Sequence, residues 1–458
     1  MRKLQKLGLL LTALLILGGC SGVSAEELYR LPEATEDYYD LQAALNDVLA
    51  QGYSYLAPAS GARQEPVQLT DLNGDGVDEA VAFFRSAADS AVQVYIFSKE
   101  NEVYIPAATI DGAGTAVAAV EYADLDGQGD LEIILTCQVS ETVTQALQVY
   151  RYENGGAVNM LTESCSQYVL SDLDGDRLQE LFCITGNGAE ASATVEYYDS
   201  VDYELRRSEE LRLSFSYDSL RRVQQGTLDG GAKGMLVSGV SSEGALVTNV
   251  FTAEEGSLRQ ISPREDVLRS APVDGIYVYP TDIDGDGITE VAQAEQLPAG
   301  VVDGKSYLAV RWYGISGSGE CEDKMLTYQK YDENWYFRFP EYWDGVVTVR
   351  ETGGSTAVDA VSFYRILDGE NAAAELDVED EAMAERILTI YSLRGADRQS
   401  YAERNEMAIL YRDSDVIYAA DLNEQAHAWE GTITLAQVSE MFHVLRSGTD
   451  RENIVGTD

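Results

Sequence analysis

A nine-residue acidic motif recurs four times along the chain, and it constrains the fold more than any other feature of the sequence. The pattern is D-x-[DN]-x-D-G-x-x-E with small departures, and its copies span residues 71–79, 124–132, 172–180 and 282–290. Its first, third, fifth and ninth positions carry side-chain oxygens, and glycine lets the backbone turn sharply. Such a loop wraps one hard cation, and several carboxylates favour calcium over zinc or copper.

The motif begins like an EF-hand loop but departs from it in two ways. An EF-hand needs a bidentate glutamate at its twelfth position and a helix on each side. The twelfth positions here are Ala82, Leu135, Cys183 and Gln293. Short apolar, β-like runs precede and follow each copy, so the loops are predicted to join strands.

The spacing of the copies predicts a further, degenerate unit. Successive first aspartates are 53, 48 and 110 residues apart, and the last interval is about twice the others. The segment 226–237 keeps the turn and the strand-like run within that interval. Its expected ligand positions hold Thr227, Gly231, Lys233 and Met235, so we predict a structural repeat that has lost its metal. We number the five loops one to five, the degenerate loop being loop four.

Five units of about 50 residues predict a mainly β fold, a β-propeller of about five four-stranded blades. The first unit divides into four strand-like runs, at 66–70, 79–85, 91–98 and 103–110. A β-solenoid is the competing interpretation, but solenoid coils are usually much shorter than this repeat.

The motif followed by a strand resembles the FG-GAP or VCBS repeat, found in propellers of integrin α-chains and of bacterial surface proteins. The resemblance covers residues 64–335 and, with the N-terminal segment described below, extends to VCBS-repeat lipoproteins of anaerobic Gram-positive bacteria. It implies bound Ca²⁺. Integrin propellers have seven blades, whereas five units are visible here, so six or seven blades stay open.

The family's ligands can be carried over one loop at a time. The resemblance implies Asp71, Asn73, Asp75, the Val77 carbonyl and Glu79 in loop one; Asp124, Asp126, Gln128, Asp130 and Glu132 in loop two; Asp172, Asp174, Asp176, the Leu178 carbonyl and Glu180 in loop three; and Asp282, Asp284, Asp286, the Ile288 carbonyl and Glu290 in loop five. Gln128 at an acidic position predicts weaker binding in loop two. Arg177, in place of a glycine, predicts backbone strain in loop three. The competing interpretation of all four loops is a solvated, metal-free acidic turn.

The N-terminus predicts export and a lipid anchor. A basic start, an apolar run from Leu7 to Leu17 and the sequence Leu17-Gly18-Gly19-Cys20 are typical of a lipoprotein signal peptide spanning residues 1–19. Lipidation of Cys20 would place the mature protein on the outer side of the cell membrane. An ordinary cleaved signal peptide is the alternative.

The charge of the chain excludes some partners. The formal net charge is −46, and it becomes −49 when the three basic residues of the signal peptide are removed. Such a surface repels nucleic acid and anionic lipid headgroups. It suits an exported protein in a medium that contains calcium.

Few residues are available for histidine or thiol chemistry. His427 and His443 are the only histidines, and both lie outside the repeats, which excludes a Ser-His-Asp triad or a His-ligated zinc there. A pair of carboxylates of the glycosidase type is formally compatible with the composition. Cys137, Cys165, Cys183 and Cys321 lack zinc spacing, and a disulfide between two of them stays open.

The segments outside the repeats carry weaker signals. Residues 20–63 predict a tether and a short amphipathic helix at 38–51, and residues 336–458 predict a compact α+β domain. Within that domain we expect a helix at 379–391, strands at 407–411 and 416–420, and a last helix capped by Thr434.

These features favour a lipid-anchored, extracytoplasmic calcium-binding propeller that acts as a non-catalytic binding or adhesion module. Its expected partners are the membrane, through Cys20, and an unidentified protein or glycan ligand. An envelope enzyme acting on polysaccharide and a structural or assembly lipoprotein are the alternatives.

Overall fold

The structure is a computed structural model that describes residues 36–101, 103–139, 145–186, 192–263, 267–298, 302, 304–355, 357–367, 382–445 and 455–456. The predicted signal peptide, Cys20 and the first part of the tether lie outside these residues. Within them the chain is mainly β, with six antiparallel sheets of four or five strands and one two-stranded pair. No helix in the described part of the chain has the length and apolar character needed to cross a membrane.

The strands follow one another along the chain, sheet by sheet. Sheet 1 contains β1 (Tyr53–Tyr55), β2 (Val67–Thr70), β3 (Glu79–Ser86), β4 (Val92–Glu100) and β5 (Val103–Asp111). Sheet 2 contains β6 (Ala116–Ala123), β7 (Glu132–Gln138), β8 (Gln145–Glu153) and β9 (Gly156–Cys165). Sheet 3 contains β10 (Gln167–Ser171), β11 (Glu180–Thr185), β12 (Ser192–Val201), β13 (Glu204–Arg207) and β14 (Leu211–Ser216). Sheet 4 contains β15 (Leu220–Thr227), β16 (Lys233–Val240), β17 (Leu246–Glu254), β18 (Ser257–Ile261) and β19 (Arg269–Ser270).

The remaining sheets involve the C-terminal part of the chain. A short strand, β20 (Tyr277–Val278), pairs with the last strand, β31 (Val455–Gly456). Sheet 5 contains β21 (Val291–Gln296), β22 (Leu308–Ile315), β23 (Cys321–Lys330), β24 (Trp335–Arg338) and β30 (Phe442–Val444). Sheet 6 contains β25 (Val347–Ser355), β26 (Val358–Ile366), β27 (Ala384–Arg394), β28 (Ala408–Arg412) and β29 (Val416–Leu422). The described α-helices are α1 (Glu36–Ala50), α2 (Arg398–Arg404) and α3 (Leu435–Met441).

The four runs predicted for the first unit are confirmed as β2 to β5, with bounds that differ by at most two residues. Strand β21, after loop five, is buried only at its first two residues. The strands after the other four loops, β3, β7, β11 and β16, are buried along nearly their whole length. Both faces of these strands pack against neighbours. They therefore appear in the sequence as continuous apolar runs rather than alternating patterns.

Hydrophobic cores connect the sheets in chain order. Val81 and Phe83 of β3 pack with sheet 2, and separate cores join sheets 2 and 3, 3 and 4, 4 and 5, and 5 and 6. The opposite face of β3, with Ala82 and Phe84, packs against Leu45 and its neighbours in α1. The outer face of sheet 6 packs in the same way against α2. A helix therefore covers each end of the series of sheets.

The C-terminal segment contributes to sheet 5 as well as sheet 6. Strand β30 pairs with β24, and one core contains Trp335, Phe363 and Phe442 from β24, β26 and β30. The domain boundary expected at residue 335/336 falls inside β24.

Some C-terminal predictions are confirmed and one is wrong. The strands expected at 407–411 and 416–420 are β28 and β29, and Thr434 caps α3 in a capping box with Gln437. The helix expected at 379–391 is wrong, because residues 384–394 form β27, while 379–381 lie outside the described residues. Strand β27 pairs with β26 on one side and β29 on the other, and these partners satisfy its backbone and bury residues of both faces. The apolar spacing that predicted a helix at 379–391 therefore belongs to a strand whose two faces are both buried.

Candidate metal sites

Each acidic loop spans the turn between two paired strands. The residue before the loop pairs with the closing glutamate, as in Thr70 with Glu79, and Ala123 with Glu132. The corresponding pairs in loops three and five are Ser171 with Glu180 and Thr281 with Glu290. All four glutamates are buried. Glu79, Glu132 and Glu180 begin strands that are paired on both sides, whereas Glu290 directly precedes β21, an edge strand of sheet 5.

One oxygen of each closing glutamate holds the loop backbone. The Oε2 atom accepts a hydrogen bond from the backbone N–H of the second loop residue, which is Leu72, Leu125, Leu173 or Ile283. These N···O distances are 3.0 Å in loop one, 2.8 Å in loop two, 2.6 Å in loop three and 3.1 Å in loop five. The second loop residue is itself a buried apolar anchor.

The other acidic side chains fold the loop around its centre. In loop five, Asp282 accepts from the N–H groups of Gly285 and Gly287, while Asp286 accepts from Ile288 at 2.7 Å. Both glycines have positive φ, at 79° and 89°. Arg177, at the place of the second glycine in loop three, also has a positive φ of 82°, which confirms the expected backbone strain.

The second carboxylate oxygen of each closing glutamate shows whether a loop suits a bound cation. The Oε1 atoms of Glu132, Glu180 and Glu290 are buried and have no hydrogen-bond partner. A buried carboxylate oxygen without a partner is costly, and a bound cation removes that cost. These residues therefore fit a hard, oxygen-preferring metal ion.

The electrostatics of the loops agree with this fit. Burial, together with repulsion from the loop aspartates, raises the pKa of Glu132 to about 8, that of Glu180 to about 8 and that of Glu290 to about 7. The hydrogen bond from the loop backbone opposes this rise without cancelling it. A divalent cation would favour the ionised form of each carboxylate.

The structure brings most predicted acidic ligands together. Carboxylate oxygens lie within 4.8 Å of one another in three sets: Asp172, Asp174, Asp176 and Glu180; Asp124, Asp126 and Glu132; and Asp282, Asp284 and Glu290. In loop one the Asn73 side-chain amide donates to Glu79 Oε1 at 3.3 Å, so its glutamate has a partner already. Asp71 Oδ1 is the unpartnered buried oxygen in that loop.

Loop two differs from the others through a basic residue outside the motif. Arg151, on β8, places Nη1 2.7 Å from Oδ2 of the buried Asp126. The Gln128 side-chain amide donates to the same oxygen at 2.9 Å. Oδ1 of Asp126 accepts from the backbone N–H of Gln128 at 3.0 Å, so both oxygens of this carboxylate have protein donors.

Loop three has an additional acidic residue beside it, where loop two has a basic one. Asp199, on β12, is buried, and the loop carboxylates Asp174 and Asp176 contribute to raising its pKa after the larger effect of burial. The Tyr197 hydroxyl faces Glu180, but neither this hydroxyl nor the Oε1 atom of Glu180 has a hydrogen-bond partner. The motif did not identify Arg151 or Asp199. Both stand 19 residues after the closing glutamate of their loop, and that offset is the signal that could have found them.

Loop four is shorter than the repeat pattern of the sequence predicts. Thr227 pairs with Lys233, so five residues separate the paired positions, whereas eight separate Thr70 from Glu79. The ligand positions predicted at Thr227, Gly231, Lys233 and Met235 are therefore wrong. Thr227 corresponds to Thr70, which precedes its loop, and Lys233 holds the register of the closing glutamate. Lys324 Nζ lies 3.1 Å from Asp229 Oδ1 and supplies the positive charge in this loop.

Comparisons with known proteins give only distant similarities. No protein-family model matches the sequence, and no curated protein matches it. Among solved structures, an exotype rhamnogalacturonan lyase, YesX, is similar at a TM-score of 0.28 and 14% identity, over 73% of this chain and 65% of that one. The match therefore spans just under two thirds of that lyase.

Two further solved structures are similar at the same level. A rhamnogalacturonan lyase of Bacillus licheniformis has a TM-score of 0.27 and 11% identity, over 80% of this chain and 90% of that one. A protein of Lactobacillus plantarum has a TM-score of 0.24 and 11% identity, over 67% of this chain and 82% of that one. Similarities this distant do not bear on function.

Proposed function

We propose that this protein is a lipid-anchored, extracytoplasmic β-propeller of the FG-GAP/VCBS type, stabilised by calcium and serving as a non-catalytic binding module. The observation that carries the calcium assignment is the buried, unpartnered Oε1 atom of Glu180 in loop three and of Glu290 in loop five. Calcium accepts carboxylate, amide and backbone carbonyl oxygens in irregular geometry, which is the donor set of these loops. The ion would neutralise each loop and hold its side chains in place.

The sheet arrangement supports the propeller assignment. Sheets 1 to 4 each contain four strands in consecutive antiparallel order, and each packs on the next through its own core. Blades of a propeller are four-stranded antiparallel sheets that pack in chain order, although here the first and last described sheets pack on helices α1 and α2. We assign sheets 1 to 5 as blades and sheet 6 as a blade-like continuation.

The anchoring and location rest on the N-terminal sequence. A basic start, an apolar run and the Leu17-Gly18-Gly19-Cys20 segment support a lipoprotein signal, and the high negative charge supports an exported protein. We expect Cys20→Ser to release the protein into the medium while the wild type stays in the membrane fraction. Equal membrane retention of both would contradict the anchor.

A cavity in the C-terminal part offers one surface for a ligand. It has a volume of about 270 Å³, and Trp343, Trp429 and Leu435 contribute to its apolar lining. Apolar cavities with a few polar groups are usual small-ligand sites. Screening the calcium-loaded fragment 21–458 on glycan and protein arrays would show whether the ligand is a glycan or a protein.

Calcium binding is tested on the same fragment after exhaustive chelation. Because the ion binds only the folded loops, added calcium at about 100 times its dissociation constant should stabilise the fold by about 2.7 kcal/mol per site. Glu180→Gln with Glu290→Gln should abolish most of the rise in melting temperature. Glu210→Gln, an exposed acid outside the loops, serves as the control and should behave as wild type. A wild-type melting curve that does not respond to calcium would reject the proposal.

A further inference from the structure

In each of the four acidic loops, one residue outside the motif lies opposite the closing glutamate on the neighbouring strand. Ile133 pairs with Tyr150, and Leu181 pairs with Tyr198, so the next residues along β8 and β12 lie opposite Glu132 and Glu180. We call this the facing position. It holds Ser98 in loop one, Arg151 in loop two, Asp199 in loop three and Gly314 in loop five.

In loop two the facing position supplies a positive charge. The Arg151 guanidinium contacts Asp126 at 2.7 Å, the Asp126 side chain has no exposed surface, and that of Arg151 is 18% exposed. A fixed guanidinium this close to a ligand carboxylate opposes a divalent cation in the same loop. In loop four a basic residue from outside the facing position has a comparable effect, because Lys324 Nζ, on β23, lies 3.1 Å from Asp229 Oδ1.

In loop three the facing position supplies another negative charge. Asp199 is 5% exposed, and its Oδ1 accepts from the backbone N–H of Ser200 at 2.6 Å. Two residues earlier on the same strand, the fully buried Tyr197 hydroxyl faces Glu180 and has no partner. Buried carboxylates without basic partners call for a cation from solution.

We propose that the residue at the facing position decides which cation each loop takes. In loop two the Arg151 guanidinium takes the place of the metal ion. In loop three Asp199 adds a fifth negative charge beside the four loop carboxylates, and this loop therefore binds a divalent cation more tightly than the others. Loops one and five, with neutral facing residues, lie between these extremes. The inference rests on the calcium binding proposed above.

Calorimetric titration of the chelated fragment 21–458 with calcium tests the loop-two half of the inference. Arg151→Met should add one ion to the wild-type stoichiometry, because it removes the competing charge. Arg151→Lys keeps a positive charge and should keep the wild-type stoichiometry. Arg207→Met removes an arginine that pairs with Glu196 outside the loops, and it serves as the matched control. The proposal that the Arg151 guanidinium takes the place of the metal ion would be overturned by either of two results. One is an unchanged calcium stoichiometry in Arg151→Met, and the other is failure of this variant to fold at any calcium concentration.

The calcium affinity of the tightest sites tests the part of the inference that concerns loop three. Asp199→Asn keeps the shape of the side chain and should weaken the tightest class of sites at least about tenfold without changing the stoichiometry. Terbium binding gives a second measurement: tyrosine beside the ion sensitises its luminescence, so Tyr197→Phe should reduce emission from the tightest site. Asp202→Asn, at an exposed acid on the adjoining turn, should leave both signals unchanged. Wild-type affinity in Asp199→Asn would overturn this half.

The two proposals fail in different ways. A wild-type fragment that takes up no calcium would reject the proposed function itself. A wild-type fragment that binds calcium, with variants at Arg151 and Asp199 that bind it identically, would reject only the role of the facing position.

Discussion

Leu131 in loop two donates its backbone N–H to the carbonyl oxygen of Leu72 in loop one, with an N···O distance of 2.8 Å. The same kind of bond joins Thr289 of loop five to Thr227 at the start of loop four, also at 2.8 Å. Loops one and two, and likewise loops four and five, are therefore bonded to each other directly, in addition to the cores that join their sheets. Order in one loop supports order in the next.

This contact between loops predicts unequal effects of two glycine substitutions in loop one. Gly74 and Gly76 both have positive φ, at 69° and 84°, so alanine is strained at either place. A Cβ atom on Gly74 would also lie 3.1 Å from the carbonyl oxygen of Gly129 in loop two, whereas one on Gly76 would meet nothing within 4 Å. We expect Gly76→Ala to lower the free energy of unfolding by about 1 kcal/mol. Gly74→Ala should lower it further in urea titrations, and equal losses would argue against close packing of the two loops.

Arg177 offers a test of stored backbone strain. Its φ of 82° is costly for a residue with a side chain, and the equivalent positions in the other acidic loops are glycine. Arg177→Gly should raise the free energy of unfolding by about 1 kcal/mol. It also removes a positive charge next to the ligands of loop three, so calcium affinity should rise. Arg212→Gly, in a strand, is the control and should be destabilising. A destabilised Arg177→Gly would contradict the strain.

The sequence alone predicted the parts of the fold that are set locally. The acidic loops have the turns and glycine conformations that their spacing indicated, and the capping box at Thr434 formed as expected. Features that depend on strand pairing escaped prediction. The facing residues Arg151 and Asp199 reach their loops only through the register of β8 and β12, and loop four revealed its short length only through the pairing of Thr227. The sequence of β27 predicts a helix because burial on both faces removes the alternation of a typical strand.

Helix α1 is predicted to be an essential cover for sheet 1. Leu45 and Val48 are almost fully buried against the face of β3 that no other sheet covers in the described core. Leu45→Ala leaves a cavity there and should cost about 3 kcal/mol in the free energy of unfolding. Asn46→Ala changes an exposed neighbour in the same helix and should cost less than about 0.5 kcal/mol. Equal losses for the two variants, measured in urea, would show that α1 does not pack on the sheet.

Glu351 on β25 predicts a pH dependence that is independent of the metal loops. Its carboxylate accepts from the Tyr328 hydroxyl at 2.6 Å and pairs with Lys305 and, at 3.2 Å, with Lys330. Burial acts to raise its pKa, but these partners outweigh burial and hold the pKa below the ordinary value of 4.5. Because the folded-state pKa is the lower one, ionised Glu351 stabilises the fold above about pH 4.5, and this contribution is lost as the pH falls through the folded-state value.

Comparison of wild type with Glu351→Gln across pH isolates this contribution. At pH 7 the variant should be less stable by about 2 kcal/mol, since it loses charged hydrogen bonds and takes from Lys305 its carboxylate partner, while Lys330 keeps Asp332. The difference should hold down to about pH 4.5 and then shrink as the wild-type carboxylate takes up its proton. Urea unfolding followed by tryptophan fluorescence, at sub-micromolar protein to limit aggregation, measures it, with the exposed Glu210→Gln as the control. A stability difference that is constant below pH 4.5, or that grows as the pH falls, would contradict the lowered pKa of Glu351.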